Sequence, residues 1–404
     1  MSGAATVQGV DPEVRGARAA WSALTEPADR EAGLLVSLLG PREALAWVRQ
    51  GVTDLAAAAA RLHGLCARED AVAVVRAHER WMRRLDYAGE DWVAKAGRCG
   101  VRVVVPGDQE WPAALDDLGL AAPHALWVRG QGNLGGLLHR AVAVVGARAA
   151  THYGEYVTRQ LTTGLADAGW TVVSGGAYGI DGAAHRTCEA LGAPTVAFMA
   201  GGVDRLYPAG HEELLRAMLD RGCVVAEVPV GSAPQRSRFL HRNRLIATAR
   251  ATVVVEAGFR SGALNTATHA NELLRPVGAV PGSVESASSA GCHRLIRDGA
   301  AVLVTCADDV LALAEPVGTV AGDGPAGAVG DSGGGSPGGA SGQVALDFAA
   351  PGQRRVYDVL GPRARSLEWV ASAAGMTLEQ ARTALGSLSL DGRAARRDVG
   401  WVRT

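Results

Sequence analysis

The chain has 404 residues, a formal net charge of −1 at pH 7, and a hydrophobic fraction of 48%. This length and apolar content exclude a disordered chain or one small domain, and predict two or three domains. Because the net charge is near zero, any nucleic-acid site must concentrate its positive charge locally. No apolar run reaches membrane-spanning length and residues 1–16 do not resemble a signal peptide, so we expect a cytoplasmic protein without membrane contact.

The first quarter of the chain predicts helices. Residues 1–28 are expected to form a flexible N terminus, and residues 29–96 place apolar residues at helical spacing, as in DAVAVVRAHERWMRRL. The segment Leu39-Gly40-Pro41-Arg42 fits two hypotheses. It could form a helix-hairpin-helix contact with DNA backbone in a SAM-like or helix-hairpin-helix-like domain, or it could be a plain packing turn between two helices, which a single Gly and Pro favour.

Residues 97–315 alternate short apolar strands with helical segments, a pattern typical of a parallel sheet covered on both faces. We predict an α/β fold, with an extended Rossmann-like, doubly wound, mostly parallel sheet. Glycines concentrate after the predicted strands, and ligands of open α/β sheets bind at that edge. The predicted strands cover residues 101–105, 126–129, 141–145, 171–174, 195–199, 224–227, 252–256, 277–280 and 301–304.

The strand over residues 141–145 ends in a Gly-containing turn at Gly146 and leads into a helical run. Backbone N–H groups at such a turn bind anions, and the Arg148 guanidinium adds a cation. The turn lacks the G-x-G-x-x-G spacing of dinucleotide-binding proteins, and Ser174-Gly175-Gly176 follows the next strand where an acidic residue would be needed. The pattern therefore predicts a phosphate site and disfavours a nicotinamide-dependent oxidoreductase.

A second anion signal is the segment QRSRFLHRNRLIATAR over residues 235–250. It lies within a stretch without acidic residues between Glu227 and Glu256, and it surrounds Phe239 with arginines. Cations interleaved with an aromatic ring are typical of a site that grips a nucleic-acid backbone and stacks a base. The alternative interpretation is a solvated amphipathic helix. The arginines are Arg236, Arg238, Arg242, Arg244 and Arg250.

Several segments, in order and over residues 142–305, closely resemble the DNA-processing protein A family, DprA/Smf. They include VAVVGARAATHYG from Val142, VVSGGAYGIDGAAH from Val172, RFLHRNRLIA from Arg238 and VVVEAGFRSGALNTA from Val253. The resemblance implies a cytoplasmic homodimer that binds single-stranded DNA and loads a RecA-type recombinase onto it in natural transformation.

The resemblance also implies which residues contact DNA. Two positions depart from the family pattern, since Tyr178 stands where the family usually has Arg and Leu240 where it usually has Pro. A tyrosine at position 178 could stack on a base. The predicted DNA-binding residues are Gly146, Arg148, Tyr153, Gly154, Ser174, Gly175, Gly179, Arg238, Phe239, Arg242, Asn243 and Arg244.

An enzyme is the alternative to a binding protein. Phosphoribohydrolases on related folds place a Glu near a Gly-rich loop, and Glu256 with Asp181 would supply an acid/base pair. No further His or carboxylate stands at a recognisable spacing, so we favour a binding protein in which Asp181 and Glu256 brace the loops. The six cysteines include no C-x-x-C pair, and we expect neither a metal nor a cofactor.

The C-terminal part begins with a Gly-rich segment without aromatic residues, which predicts a flexible linker over residues 316–342. Residues 343–404 predict a winged helix, with helices over 353–360, 367–374 and 377–390, the last capped by Thr377. The hairpin GRAARRDVGWVR would form the wing and carry Arg393, Arg396 and Arg397. Both a DNA contact and a protein contact remain open for this domain.

Overall fold

The computed structural model describes residues 9–315 and, beyond them, residues 353, 356–357, 359–360, 365–374, 376–390, 393–397 and 400–403. The chain divides into two compact units, Met1–Gly322 and Asp323–Thr404. The predicted linker over residues 316–342 lies outside the described residues.

Among the described residues, six helices precede the central strands, and aspartates fix where several of them begin. The side chains of Asp11, Asp29, Asp54 and Asp91 each accept a hydrogen bond from a backbone N–H of the first turn. A 3-10 helix, Leu85–Gly89, separates the last two. The helices are α1 (Pro12–Leu24), α2 (Arg30–Leu39), α3 (Pro41–Thr53), α4 (Leu55–Ala60), α5 (Arg68–Met82) and α6 (Trp92–Arg98).

Helix α1 corrects the expectation of a flexible N terminus over residues 1–28. Its Trp21 is fully buried and donates its indole N–H to the carbonyl of Pro41 at 3.0 Å. Its Ser22 hydroxyl donates to the carbonyl of Glu227. The core around Trp21 also contains Trp127 of the sheet. The helical region and the sheet therefore share one core, and the predicted boundary near residue 96 does not separate two cores.

The nine predicted strands are present and form one sheet in the order β1-β2-β6-β5-β4-β3-β7-β8-β9. Strand β2 pairs antiparallel with β1 and β6, and all other neighbours are parallel. This confirms the predicted mostly parallel sheet. The strands are β1 (Arg102–Val104), β2 (Leu126–Arg129), β3 (Ala141–Val145), β4 (Thr171–Ser174), β5 (Thr195–Met199), β6 (Cys223–Ala226), β7 (Ala251–Val254), β8 (Val277–Ala279) and β9 (Val302–Leu303).

Helices cover both faces of the sheet, which explains why the central strands are apolar without alternation. Val142 and Val144 of β3 pack into one core, whereas Ala143 and Val145 pack into the core on the opposite face. The covering helices are α7 (Leu134–His139), α8 (His152–Asp167), α9 (Ile180–Leu191), α10 (Glu212–Ala217), α11 (Arg236–Ile246), α12 (Gly262–Glu272), α13 (Ala290–Arg297) and α14 (Ala307–Ala314). Short 3-10 helices lie at Ala113–Ala121, Ala209–His211 and Met218–Asp220.

The strand order reverses between β3 and β7. From β3 the chain moves outward through β4, β5 and β6, and it then returns to β7 on the other side of β3. The loops that follow β3 and β7 diverge to opposite faces and leave a crevice at the carboxyl ends of these strands. In open α/β sheets such a crevice is where ligands bind.

The C-terminal unit contains α15 (Leu367–Ala373), α16 (Leu378–Leu390) and a hairpin of β10 (Ala394–Arg397) and β11 (Gly400–Arg403). The Thr377 hydroxyl accepts from the Gln380 N–H at 3.2 Å, and the Thr377 N–H donates to the Gln380 amide at 3.0 Å. This reciprocal cap confirms the predicted helix start. The predicted helix over residues 353–360 lies only partly within the described residues.

If α1 is part of the fold, replacing Trp21 with Ala should lower the free energy of unfolding by about 3–5 kcal/mol, because a large buried side chain leaves a cavity. Urea unfolding followed by circular dichroism measures the change. The matched control is Trp369→Ala in the C-terminal unit, because Trp369 is 41% exposed. If Trp21→Ala lowered the free energy of unfolding by less than about 1 kcal/mol, α1 would not be an essential part of the fold.

Candidate nucleic-acid interface

The crevice between β3 and β7 is an open cleft of about 550 Å³, called here the β3–β7 cleft. The loop after β3, the loop after β7 and helix α11 form its walls. Its lining combines small residues with cations and one aromatic ring. The lining residues are Val145, Gly146, Ala147, Arg148, Ala177, Asp181, Phe239, Leu240, Arg242, Asn243, Ile246, Gly258, Arg260, Ser261, Gly262, Ala263 and Thr266.

Two exposed arginines reach the cleft from different walls. Arg148 follows β3 and Arg260 follows β7, and both side chains are exposed. The Arg148 guanidinium carbon lies 5.3 Å from the centroid of the half-buried Phe239 ring, within cation–π distance. The cleft therefore combines two exposed cations with one half-buried aromatic ring, which suits a phosphate backbone that carries bases.

Helix α12 adds an anion-binding element to the same wall. It begins at Gly262, and Ser261 caps it by accepting from the Ala263 N–H at 3.3 Å. Ser261, Gly262 and Ala263 all line the cleft. The first turn of an 11-residue helix exposes backbone N–H groups and the positive end of the helix dipole. A phosphate in the cleft would thus meet both arginines and a helix N terminus.

Arg242 forms the buried floor of the cleft. One Nη atom donates to the carbonyl of Gly175 at 2.9 Å and to the carbonyl of Phe198, and Nε donates to Asn243 at 3.2 Å. Burial lowers the pKa of Arg242 to about 10, so the guanidinium stays charged at neutral pH. Arg242 therefore ties the ends of β4 and β5 to α11.

Asp181 braces the loop after β4. Its carboxylate accepts from the N–H groups of Gly175 at 3.1 Å and Ala177 at 3.4 Å. Burial raises the pKa of Asp181, and the nearby positive charge of Arg242 opposes that rise. The side chain holds the Gly-rich turn in place, as expected from the sequence.

Arg238 and Arg244 do not face the cleft as predicted. Both are buried, and each forms a bidentate pair: Arg244 with Glu227 at 2.6 and 2.7 Å, and Arg238 with Glu26 at 2.8 Å. Arg244 also donates twice to the carbonyl of Ala121. One side of helix α11 is thus buried and ion-paired, and Arg238 and Arg244, predicted to contact DNA, are engaged by carboxylates outside the cleft.

The predicted glycines serve mainly to let the loops approach one another. A Cβ at Gly154 would collide with the Glu256 carboxylate, one at Gly175 with the Arg242 guanidinium, and one at Gly146 with Ile180. Gly179 has a φ of +78°, which disfavours other residues. Of these four only Gly146 lines the cleft.

Glu256 braces the loops after β3 and β7, as expected. Its carboxylate accepts from the Thr151 N–H at 3.0 Å, the Thr151 hydroxyl at 2.6 Å and the Ser288 hydroxyl at 3.2 Å. Tyr153 donates its hydroxyl to the carbonyl of Pro281 at 2.6 Å and borders a separate cavity of about 500 Å³. Ser174 is buried and donates to the carbonyl of Val144 at 2.6 Å.

The structure therefore brings five of the twelve predicted residues to the cleft, namely Gly146, Arg148, Phe239, Arg242 and Asn243. It adds Arg260, which the sequence analysis did not select. Its position in the sequence could have indicated a site, because Arg260 lies in GFRSGAL, between the predicted strand over residues 252–256 and a helix. That position matches Arg148 after the strand over residues 141–145.

Neither a metal cluster nor a membrane-spanning helix occurs in the part of the chain that the structure describes. Among those residues no group of His, Cys, Asp and Glu side chains is arranged to hold a metal ion. None of their helices combines the length and the apolar character that crossing a membrane requires.

On the C-terminal hairpin, Arg396 and Arg397 are exposed, and α16 carries an exposed Arg382.

Comparisons with known proteins place this arrangement in a family. Residues 102–315 match the family model of the DNA recombination-mediator protein A, and residues 344–398 match the DprA winged helix domain. A Mycobacterium tuberculosis protein named as a DprA is 42% identical over 404 residues, covering 97% of this chain and 95% of the relative. The DNA processing protein DprA of Streptococcus pneumoniae is 40% identical over 183 residues, covering 45% of this chain and 64% of that protein.

A solved structure shows the same fold. The X-ray structure of DNA processing protein A from Streptococcus pneumoniae superposes with a TM-score of 0.53 and 31% sequence identity. It covers 71% of this chain and 98% of that chain.

The buried and exposed arginines should respond differently to replacement. Arg244→Ala should lower the free energy of unfolding by about 3–5 kcal/mol, because it leaves the Glu227 carboxylate buried without its partner. Arg148→Ala should change it by no more than about 0.5 kcal/mol, because the side chain is exposed. Urea unfolding compares the two. Wild-type stability for Arg244→Ala would mean that its ion pair does not hold α11 in place.

Proposed function

Because the chain belongs to the DNA recombination-mediator protein A family, we propose that it binds single-stranded DNA in the β3–β7 cleft. The observation that carries the proposal is the position of the exposed Arg148 and Arg260 on opposite walls of one cleft, with the Phe239 ring beside Arg148. Cations that neutralise phosphates, together with a ring that stacks a base, are typical of single-strand binding sites.

Single strands fit this site better than duplex DNA. A base can stack on Phe239 only when its face is free, and in a duplex both faces of each base are covered by neighbouring base pairs. The arginines supply affinity without reading sequence, because phosphates carry no sequence information. We therefore expect a preference for unpaired strands with little base specificity.

The proposal extends to the role in recombination. The matched family is described as recombination mediators, which supports a role in passing bound single strands to a RecA-type recombinase during natural transformation. Such a role places the protein in the cytoplasm, beside the DNA and the recombinase.

We propose a binding protein in preference to a hydrolase. Both carboxylates of the alternative mechanism are engaged: Glu256 is buried and accepts three hydrogen bonds, and Asp181 is buried and accepts two backbone N–H groups. A general acid or base must reach the proton that it transfers. Carboxylates held by the loops themselves are poorly suited to that task.

We also propose a homodimer through the central sheet. Strand β9 is the last strand at one end of the sheet, and its Val302 and Leu303 are 56% and 47% exposed. An apolar edge strand tends to pair with another chain. A second copy placed against β9 would cover both side chains and extend the sheet.

The DNA proposal predicts how single-strand affinity depends on salt. Arg148→Ala and Arg260→Ala should each weaken binding of a labelled oligothymidylate. Each should also reduce the slope of log affinity against log salt by about 0.7, because each removes one phosphate contact. Fluorescence anisotropy at several salt concentrations measures both quantities. The matched control is Arg83→Ala, since Arg83 is an exposed arginine of the helical region.

Two results would overturn this proposal. One is an unchanged affinity and slope in the Arg148→Ala/Arg260→Ala double variant. The other is turnover of nucleoside monophosphates, measured by chromatography, that Glu256→Gln reduces by about 100- to 10,000-fold, which would establish the hydrolase.

The dimer proposal predicts that Val302→Glu converts the protein from dimer to monomer, because a charge would be buried at the paired edge. Light scattering should give about twice the chain mass of 41.5 kDa for the wild type and the chain mass for the variant. The control is Val284→Glu at a valine that is 90% exposed in a loop. A wild-type protein that is monomeric at all concentrations contradicts the dimer.

A further inference from the structure

Aromatic side chains lie on the loops beside the β3–β7 cleft. Phe239 is on the cleft wall and contacts Tyr207 in the loop over residues 201–211 after β5. The backbone of that same loop, at Gly210, lies against Tyr178 in the loop after β4. We call these three residues the aromatic strip. Tyr207 and Tyr178 are 46% and 48% exposed, so much of each ring faces solvent.

Ring contacts connect the strip to the cleft. The Phe239 and Tyr207 ring centroids lie 6.0 Å apart at an interplanar angle of 58°, a tilted aromatic pair. The Phe239 ring also meets the Arg148 guanidinium. Phe239 thus contacts both Arg148 and Tyr207.

Tyr178 is held against the same loop. Its ring packs edge-on to His211, with centroids 4.7 Å apart. The backbone of Gly210 lies so close that a side chain there would collide with the Tyr178 hydroxyl. His211 is buried and fixed by the carbonyl of Gly176 at 3.1 Å and by Arg186 at 3.4 Å. His211 and the Gly210 backbone therefore fix the orientation of the Tyr178 ring.

The charges beside the strip favour an anionic ligand. Arg186 contacts His211, against which Tyr178 packs, and Arg205 lies two residues before Tyr207; both arginines are exposed. Of the three carboxylates of the loop and the following helix, Asp204 accepts from the Gly231 N–H at 2.9 Å and Glu212 pairs with Arg216 at 2.6 Å, whereas Glu213 is exposed. Exposed cations beside exposed rings repeat the chemistry of the cleft itself.

We propose that the aromatic strip is a second base-stacking subsite, on which bases of a strand leaving the cleft stack against Tyr207 and Tyr178. The inference rests on the proposed single-strand binding and adds the direction in which the strand leaves the cleft. Tyrosine rings that are half exposed on fixed seats stack bases of any identity, because every base has a π-face.

The test compares two probes on the full-length protein: a labelled oligothymidylate and an abasic strand of equal length, which keeps the phosphates and lacks the bases. The Tyr178→Leu/Tyr207→Leu double variant should bind oligothymidylate about 5- to 150-fold more weakly per lost stacked base, with an unchanged salt slope. Its affinity for the abasic strand should equal that of the wild type. Tyr178→Phe/Tyr207→Phe should restore binding, because phenyl rings still stack.

The control variant is Tyr87→Leu, because Tyr87 is 47% exposed but belongs to the helical region. Thermal melting checks that each variant is folded. The proposed subsite would be wrong if the Tyr178→Leu/Tyr207→Leu variant bound oligothymidylate as tightly as the wild type does. It would also be wrong if the wild-type protein bound oligothymidylate and the abasic strand equally tightly. A wild-type protein that binds neither probe would instead overturn the proposed function, so the two failures are distinguishable.

Discussion

The site depends on one buried cation. The guanidinium of Arg242 donates to the carbonyl of Gly175, directly after β4, and to that of Phe198, near the end of β5, while its backbone belongs to α11. A buried carbonyl left without a partner costs about 1–3 kcal/mol. Arg242 satisfies two of them at once. Gly175 must be a glycine because this guanidinium occupies the space of its side chain.

Ion pairs anchor the same helix to distant parts of the chain. Glu26 follows α1 and pairs with Arg238 across 212 residues, and it also pairs with Arg84. Glu227 follows β6 and pairs with Arg244. Helix α11, which carries Phe239, is therefore held in place partly by ion pairs to the N-terminal helical region. These ion pairs add to the apolar core that the helices share with the sheet.

The sequence was sufficient for the sheet and for the edge where the cleft lies, because apolar strands and Gly-rich turns are local patterns. It was not sufficient for the arginines of α11. A stretch without acidic residues looks like an unpaired cationic face, but the partners Glu26 and Glu227 lie outside that stretch and are brought in by the fold. For the same reason Arg260 was missed, since only the pairing of β3 with β7 places its loop opposite Arg148. Helix α1 was missed although Asp11 and Pro12 mark its start.

The division between buried and exposed cations bears on how a chain of near-zero net charge can attract DNA. Arg244 is neutralised by Glu227, and Arg238 shares the Glu26 carboxylate with Arg84, so both arginines of α11 are held in ion pairs away from the cleft. Asp181 opposes the charge of the buried Arg242 at the cleft floor, and the exposed Arg148 and Arg260 and the N terminus of α12 add positive charge at the walls. If DNA binds as proposed, two exposed arginines supply few phosphate contacts and a modest electrostatic contribution to affinity. Under that proposal, stacking on exposed rings, which salt does not screen, supplies much of the remaining binding energy.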